Sequence, residues 1–246
     1  MELNKIFKLN KGSIISIVGA GGKSTLMNFL AKELKKENKV LVTTTTKIYK
    51  PKNNEFDFIA LGRDELNILK YSSLKGIYVY GSFINKENKL VGITSEDVES
   101  EIKYFDYIIV ESDGSKGRSI KGWNSTEPVV SSKSTKTIGV MSIDILGKEI
   151  NDCNVHRVKE FNEITNGSIG DKINREIFLS VIFHKDGLFK KARGENILFI
   201  NKIDSKEDYE KSIDLLKDII YENDKKKIIN KIVYGSLKNN SFEVLK

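Results

Sequence analysis

Short runs of apolar residues, rich in Ile and Val, alternate along the chain with longer segments in which apolar and charged positions mix. Each short run is bounded by turn residues and lacks a polar face, which is typical of strands in a parallel sheet that is buried on both faces. The longer segments predict helices. The predicted strands are residues 13–18, 39–43, 56–61, 76–80, 107–110, 137–141, 196–200 and 227–234, and the predicted helices are residues 24–36, 95–104, 173–184 and 206–221.

This alternation predicts an α/β fold, with a mostly parallel sheet, helices on both of its faces and right-handed crossovers. The stretch FINKENKLVGI predicts a hairpin turn at residues 85–90 beside the sheet. Residues 114–194 are less regular and predict one strand and two helices. We therefore expect a single domain over residues 1–246, in which residues 114–194 form a subdomain that covers the functional site.

Composition narrows the class of protein. A chain of 246 residues with 39% hydrophobic and 30% charged residues is long enough to bury a core and is unlike a disordered protein. The single cysteine, Cys153, excludes an internal disulfide framework and a multi-cysteine zinc site, and it suits a reducing compartment. The sequence shows no apolar run of membrane-spanning length and no signal peptide, so we expect a soluble cytoplasmic protein without a membrane partner.

The formal net charge of +7 raises the question of an anionic partner. Lysines are spread along the helical segments, as on solvated faces, and they form no stripe interleaved with aromatic residues. The pattern therefore disfavours a nucleic-acid partner and leaves a phosphorylated ligand open.

The segment SIISIVGAGGKSTLMNFLAKEL reads as a strand, a glycine-rich turn and a helix, which is the context of a phosphate-binding P-loop. Glycines let several backbone N–H groups point at one anion, and the helix N-terminus adds its positive end. Lys23 would contact the terminal phosphates, and the Ser24 hydroxyl, or alternatively that of Thr25, would bind Mg²⁺. As a loop residue, Lys23 is expected to lie at the surface and to support little packing. The predicted phosphate-binding residues are Gly19, Ala20, Gly21, Gly22, Lys23, Ser24 and Thr25.

The loop departs from the usual spacing, which places a glycine five residues before the Gly-Lys pair, where this chain has Ile17. The shorter loop resembles the contracted loop of Mur-type ligases. That resemblance favours activation of a substrate as a phosphorylated intermediate, while simple hydrolysis stays open.

Two carboxylates, Glu111 and Asp113, follow the apolar strand at residues 107–110. Ligands of open α/β sheets bind at the carboxyl ends of strands, so one carboxylate is expected to hold Mg²⁺ and the other to orient an attacking water. A strand end capped by polar residues is the alternative. Downstream, Lys116, Arg118 and Lys121 are placed in a flexible loop, where they would steady phosphate charge or remain solvated.

Other polar residues are candidates for contacts with a substrate or a phosphate. Thr45, Thr46 and Lys47 follow the second predicted strand and are free to reach a ligand, and His156 with Arg157 form a further polar pair. Cys153, His156 and His184 lack the spacing of metal ligands, so no transition-metal site is predicted.

Near the end of the chain, ILFINKID places Asn201, Lys202 and Asp204 directly after a predicted strand. The Asn-Lys-x-Asp pattern resembles the guanine-reading element of GTPases, in which the Asp accepts hydrogen bonds from the base and the Lys stem packs on it. Residues 234–236 stand where a companion base loop is expected. These residues favour guanine over adenine, but both GTP and ATP stay open.

An ordered set of segments resembles the YqeC family, which is described as accessory proteins of selenium-dependent molybdenum hydroxylases. The segments are VGAGGKSTLMNFLAKEL, VLVTTTTKIYKP, VESDGSKGRSIKG, NDCNVHR and FINKID, and they span most of the chain. The resemblance implies a nucleotide-dependent role in maturing the selenium-containing cofactor of a molybdenum hydroxylase. It also implies that this hydroxylase, or its cofactor, is a partner.

Two functions are consistent with these residues. The first is a nucleoside-triphosphate-binding accessory enzyme that uses Mg²⁺ for hydrolysis or phosphoryl transfer, with Lys23, Glu111 and Asp113 as catalytic residues. The alternative is a nucleotide switch or chaperone that binds the hydroxylase and has little intrinsic catalysis. The acceptor substrate and the oligomeric state stay open.

Overall fold

The computed structural model describes residues 2–245. The strands are β1 (Ser13–Gly19), β2 (Lys39–Thr44), β3 (Lys47–Tyr49), β4 (Phe58–Leu61), β5 (Gly76–Gly81), β6 (Phe83–Ile84), β7 (Lys89–Val91), β8 (Tyr107–Glu111), β9 (Ile120–Lys121), β10 (Lys136–Ser142), β11 (Val155–His156), β12 (Glu195–Asn201), β13 (Lys231–Ser236) and β14 (Ser241–Leu245). The helices are α1 (Leu3–Ile6), α2 (Lys23–Leu34), α3 (Arg63–Leu69), α4 (Ser95–Ser100), α5 (Val158–Thr165), α6 (Arg175–Phe183) and α7 (Lys206–Lys226).

A nine-stranded sheet runs through the molecule in the order β14-β13-β12-β10-β1-β8-β2-β5-β4. Adjacent strands are parallel except for β13 and β14. Two smaller sheets accompany it, a parallel pair of β9 with β11 and an antiparallel sheet in the order β3-β7-β6. The predicted α/β fold with a mostly parallel sheet is confirmed.

Helices cover both faces of the large sheet because successive strand residues point to opposite sides. In β1, Ile15 and Ile17 pack in the core that contains α1 and α2, whereas Val18 packs on the other side with α5, α6 and α7. Ile14 belongs to a further core beside α3 and α4. The strand at the centre is therefore buried on both faces, as its unbroken apolar sequence predicts.

Several boundaries differ from those predicted. Strand β13 begins at Lys231 and not at residue 227, because α7 continues to Lys226 and ends at Lys227, which has a left-handed backbone with φ of 53°. The hairpin turn predicted at residues 85–90 joins β6 to β7.

Residues 114–194 supply β10, which pairs directly with β1 in the large sheet. Their helices pack in one core with Leu198 and Leu215, which lie outside this range. Their behaviour as a subdomain stays a prediction. Among residues 2–245, no helix is both long and apolar enough to cross a membrane.

Candidate functional site

The glycine-rich turn lies at the carboxyl end of β1, where the chain leaves the middle of the sheet and enters α2. Gly19, Gly21 and Gly22 have φ values of +98°, +84° and +136°, which residues with side chains rarely adopt. No side chain caps α2 at Gly22, so the first N–H groups of the helix remain available to an anion. The sequence is glycine-rich here because the turn requires this backbone.

A cleft of about 960 Å³ opens over this turn. It brings together residues from several strand ends, including the predicted candidates Thr45, Thr46, Lys47, Lys116, Arg118, His156, Arg157 and Lys202. Its complete lining is Gly21, Gly22, Lys23, Ser24, Thr25, Thr45, Thr46, Lys47, Ile48, Tyr49, Lys89, Glu111, Gly114, Ser115, Lys116, Gly117, Arg118, Ser119, Glu127, His156, Arg157 and Lys202.

Glu111 and Ser24 meet at the floor of the cleft. Strand β8 lies beside β1 in parallel register, with Glu111 paired to Ile17, and this brings the carboxylate next to the start of α2. The Ser24 hydroxyl donates a hydrogen bond of 2.8 Å to Glu111 Oε2. Burial raises the pKa of Glu111, against the opposing charge of Lys23. The predicted hydroxyl and one predicted carboxylate are therefore adjacent.

Lys23 is buried, contrary to the expectation of a surface lysine with little packing. As the first residue of α2, it points its ammonium group inward, where Nζ donates to the Gly19 carbonyl at 2.7 Å. Nζ also lies 3.2 Å from Asp113 and 3.5 Å from Glu111. Burial opposes its charge, but the Asp113 and Glu111 carboxylates outweigh burial and raise the pKa of Lys23.

Asp113 lies below the cleft and is absent from its lining. Its Oδ2 accepts hydrogen bonds from the Gly19 N–H at 3.1 Å and from the Trp123 indole N–H at 2.7 Å. Lys23 and Lys121 both approach its oxygens at 3.2 Å. Burial alone would raise the pKa of Asp113, but these two lysines and the hydrogen bonds hold it below the usual value.

Lys121 was expected in a flexible loop, and that placement is wrong. It lies in β9 with a fully buried side chain, and its Nζ contacts Glu127 at 2.9 Å as well as Asp113. Glu127 in turn pairs with Arg157 at 3.2 Å. We call Lys23, Asp113, Lys121, Glu127 and Arg157 the charged row. Neither Trp123 nor Glu127 was singled out from the sequence, although the apolar residues around Lys121 in SIKGW were a signal of burial.

The hydroxyl groups of the threonines after β2 already contact other groups of the protein. Thr45 Oγ1 donates to the Val129 carbonyl at 3.0 Å, and Thr46 Oγ1 lies 3.2 Å from Thr44 Oγ1. Lys47 is exposed at the start of β3. All three predicted residues line the cleft.

The loop after Asp113 and the start of α5 form the opposite wall. The Arg118 Nε donates to the Asp152 carbonyl at 2.7 Å, which fixes the base of its guanidinium group. Burial, together with the positive charges of Lys121 and Arg157, lowers the pKa of His156 to about 4. Lys116, Arg118 and Arg157 line the cleft on this wall, together with the Glu127 carboxylate that pairs with Arg157.

The Asn-Lys-x-Asp residues occupy two neighbouring surfaces. The Asn201 amide donates to the Gly21 carbonyl at 3.0 Å, so the end of β12 contacts the glycine turn directly. Lys202 lines the cleft and pairs with Asp144 at 2.9 Å. Asp204 instead lines a second depression of about 520 Å³, where its carboxylate accepts a hydrogen bond from the Ser236 hydroxyl. Tyr209, Tyr234 and Gly235 also line that depression.

The residues at the floor of the cleft offer oxygen ligands of the kind that Mg²⁺ prefers, the Glu111 carboxylate and the Ser24 hydroxyl. Within residues 2–245, no group of three or more His, Cys, Asp or Glu side chains is arranged to hold a metal ion. The donor set therefore fits an ion that takes its remaining ligands from water and phosphate, and it does not fit an all-protein metal site.

Comparison with known proteins places the chain in a family. The family model described as YqeC protein matches residues 15–159, more than half of the chain. The chain belongs to the YqeC family. A YqeC relative from Escherichia coli strain K12, described as an uncharacterized protein, is 30% identical over 197 residues, covering 77% of this chain and 76% of the relative. No solved structure matches. The matched residues include the glycine turn, the charged row and most of the cleft.

Proposed function

We propose that this YqeC-family protein binds a nucleoside triphosphate with Mg²⁺, and that residues 19–25 hold the phosphates. The single observation that carries the proposal is the pair formed by Ser24 and Glu111. A hydroxyl at the start of a helix, 2.8 Å from a carboxylate at the end of the adjacent parallel strand, is the arrangement that a phosphate-bound Mg²⁺ requires. Without this pair, the glycines would be explained by the backbone of the turn alone and would give no support for a bound metal ion.

Ser24 and Glu111 would hold the ion, which when bound neutralises charge on the terminal phosphates. Lys23 lies next to them, and its ammonium group would supply a further positive charge to those phosphates. Asp113 accepts a hydrogen bond from the Gly19 N–H and pairs with the Lys23 ammonium group on the side away from the cleft. We therefore assign it a role in positioning Lys23 and the glycine turn. The N–H groups at the start of α2 complete the anion site.

We infer that the base lies on the β12 side of the turn and that guanine is preferred over adenine. Asn201 ties this side to Gly21, Lys202 lines the cleft, and the Asp204 carboxylate is held by Ser236. A base that extends from the cleft over the stem of Lys202 into the second depression would present its N–H groups to Asp204. An adenine ring lacks the donor pair that this carboxylate needs.

We propose phosphoryl transfer to a bound small molecule as the reaction. Hydrolysis needs a group that faces the cleft and orients water. Glu111 faces the cleft but is assigned to the ion, and Asp113 does not line the cleft. Glu127 does line it, but Lys121 and Arg157 engage its carboxylate. The same observation favours a second candidate, a nucleotide switch that binds a partner protein and hydrolyses slowly. A partner-dependent turnover would distinguish the switch from the transferase.

The pathway proposed for this activity is maturation of the selenium-containing cofactor of a molybdenum hydroxylase. Its support is the family resemblance of the ordered motifs, and the site's chemistry is consistent with any phosphate-bearing substrate. The hydroxylase or its cofactor is then the expected partner.

Calorimetry with GTP and with ATP, each with and without Mg²⁺, tests the proposal. For the wild-type protein we expect saturable binding that Mg²⁺ strengthens. In Ser24→Ala, the affinity with Mg²⁺ should fall by about tenfold or more, since a ligand of a charged group is lost, while binding in chelator changes little. Ser168→Ala removes an exposed hydroxyl outside the cleft and is the matched control.

Either of two results would count against the proposal. If the wild-type protein binds neither nucleotide, the phosphate-site assignment is wrong. If Ser24→Ala keeps the full effect of Mg²⁺, the ion does not lie between Ser24 and Glu111.

A further inference from the structure

Positively charged side chains outnumber carboxylates in the lining of the cleft. Seven cationic side chains line it, against the carboxylates of Glu111 and Glu127. Four of the seven have carboxylate partners: Lys23, Lys89, Arg157 and Lys202. Among residues 2–245, the other three, Lys47, Lys116 and Arg118, form no ion pair with a carboxylate.

Lys47 follows β2 and Lys116 follows β8. Besides the hydrogen bond from Lys89, the charges of both Lys47 and Lys116 lower the pKa of Glu87, so these two lysines lie near the β6–β7 turn. Arg118 lies nearer to β10, because the carbonyl of the adjacent Ser119 is 3.5 Å from the Ser142 hydroxyl. In the sheet, β8 and β2 lie on one side of β1, whereas β10, β12 and β13 lie on the other. The proposed base site is at the ends of β12 and β13. A nucleotide that extends from the turn towards those strands therefore leaves the β8 and β2 side of the cleft uncovered.

The cleft is also suited to a compact anion beside the nucleotide. Arg118 keeps its terminal guanidinium nitrogens free of the Asp152 contact, which uses only Nε. Among residues 2–245, the carboxylates that line the cleft are those of Glu111 and Glu127, while Glu87 lies outside the lining and is paired with Lys89. The total volume of about 960 Å³ is near the upper end of the range for small-molecule sites, which leaves space for a second ligand.

We propose that Lys47, Lys116 and Arg118 bind a second small molecule through a phosphate group, next to the terminal phosphates of the nucleotide. The proposal rests on the proposed function for the position of the nucleotide, and it deepens that function by giving the chemical class of the acceptor. Three cations without carboxylate partners suit a phosphate dianion, and the arginine fork matches its oxygens. The neutral form of His156, favoured by its burial and then by its positive surroundings, adds a nitrogen to the lining of the cleft.

The test uses the whole protein, saturated with Mg²⁺ and a non-hydrolysable analogue of whichever nucleotide it binds. Inorganic phosphate is then titrated and followed by ³¹P NMR, in which the phosphate signal is separate from the nucleotide signals. We expect one further saturable site. In Lys47→Gln/Lys116→Gln, phosphate affinity should fall by about tenfold or more, with nucleotide affinity within about twofold. Lys86→Gln, an exposed lysine of the β6–β7 turn, controls for loss of a surface charge.

Each outcome of the titration either supports or overturns the proposed second phosphate site. Nucleotide binding without a second phosphate site, or with a site that the double variant retains, overturns the inference and leaves the proposed function standing. If no nucleotide binds, the proposed function fails, and the titration is repeated on the free protein. Phosphate binding that is lost in the double variant and kept in Lys86→Gln then supports the basic site, and any other pattern overturns it.

Discussion

Asp113 lies between the ammonium groups of Lys23 and Lys121, each 3.2 Å from one of its oxygens, and its side chain is completely buried. Buried ions are expensive to remove from water, and such a cluster is stable only while its charges balance. Two positive charges here surround one carboxylate, with Glu111 and Glu127 at the flanks. The residue therefore controls the position of Lys23 without touching the cleft.

Asp113→Asn should destabilise the protein by about 3–5 kcal/mol at neutral pH, because it leaves two buried lysines short of a partner. Urea unfolding followed by circular dichroism measures this loss. Glu37→Gln breaks an exposed ion pair with Lys75 and should have little effect. A small loss for Asp113→Asn, similar to that of the control, would mean that the charged row is not a stabilising unit.

The same variant has an expected pH dependence. The pKa of Asp113 is held below its usual value of 3.8, so its contribution to stability is complete above pH 3.8 and is lost as the pH falls through the folded-state pKa. The pKa of Glu111 is raised, which affects stability in the opposite sense, but Glu111 is present in both proteins. The difference in unfolding free energy between wild type and Asp113→Asn should therefore be largest near neutral pH and should shrink below pH 3.8.

At the scale of elements, the ends of β12 and β13 meet through Asp204 and Ser236. The start of α7 holds this junction, because Asp208 Oδ2 accepts from the Asp204 N–H at 3.1 Å and shares a capping box with Ser205. The carboxylate of Asp204 is thus presented by two strands and a capped helix together.

Asp204→Asn keeps the size of the side chain but replaces a charged carboxylate, which has two acceptor oxygens, with a neutral amide, which has one. We expect the ratio of GTP to ATP affinity to fall by about tenfold, since one charged hydrogen-bond acceptor for guanine is lost. Calorimetry with both nucleotides measures the ratio, and Asp224→Asn, an exposed position on α7, serves as the control. An unchanged ratio would mean that Asp204 does not read the base and that the Asn-Lys-x-Asp pattern arises by chance in a sequence rich in these residues.

The sequence predicted the elements of the sheet better than their arrangement. Apolar runs such as residues 13–18 identify strands because burial on both faces leaves a continuous pattern. Short elements such as β3 and β9 escape this reasoning, since two or three residues carry no period. The order of strands also lies outside local pattern, because it depends on which long-range pairings the chain closes.

The residues of the site also divide into those that local sequence patterns predict and those that they do not. The positions of the turn at Gly19 to Gly22 and of the acids Glu111 and Asp113 at a strand end could be predicted because glycines and strand-end carboxylates are local signals, whereas their roles stay predictions. The burial of Lys23 was missed, since a lysine beside glycines resembles a surface residue until Glu111 and Asp113, distant in sequence, are brought beside it. The burial of Lys121 was missed although its partners Asp113 and Glu127 are near in sequence, because long-range packing decides whether their loop is buried. Long-range ion pairs cannot be read from spacing along the chain.

At the scale of the whole molecule, the 114–194 region and the rest of the chain share one apolar core beneath the site. Residues from the 114–194 region, such as Phe161 and Phe178, share one apolar cluster with Val18, Leu198 and Leu215. Strand β10 from the same region pairs with β1. Loosening of either part would expose apolar surface of the other, which favours a single cooperative unfolding transition.

Trp123 makes this expectation measurable, because it is the one tryptophan of the sequence and lies buried in residues 114–194. Its fluorescence reports on this region, whereas far-ultraviolet circular dichroism reports on all helices and strands. We expect the two probes to give the same urea midpoint. An earlier transition in fluorescence alone would show that residues 114–194 unfold as a separate subdomain.

The charged row has a consequence for how this family changes over evolutionary time. Its signs alternate from Lys23 through Asp113, Lys121 and Glu127 to Arg157, so each side chain is acceptable only beside the present charges of its neighbours. A lineage that loses the acid at position 113 gains from losing the lysine at position 121 as well. Substitutions in this row should therefore be inherited in pairs, and the five positions should change together, while exposed lysines away from the cleft, such as Lys86, change independently.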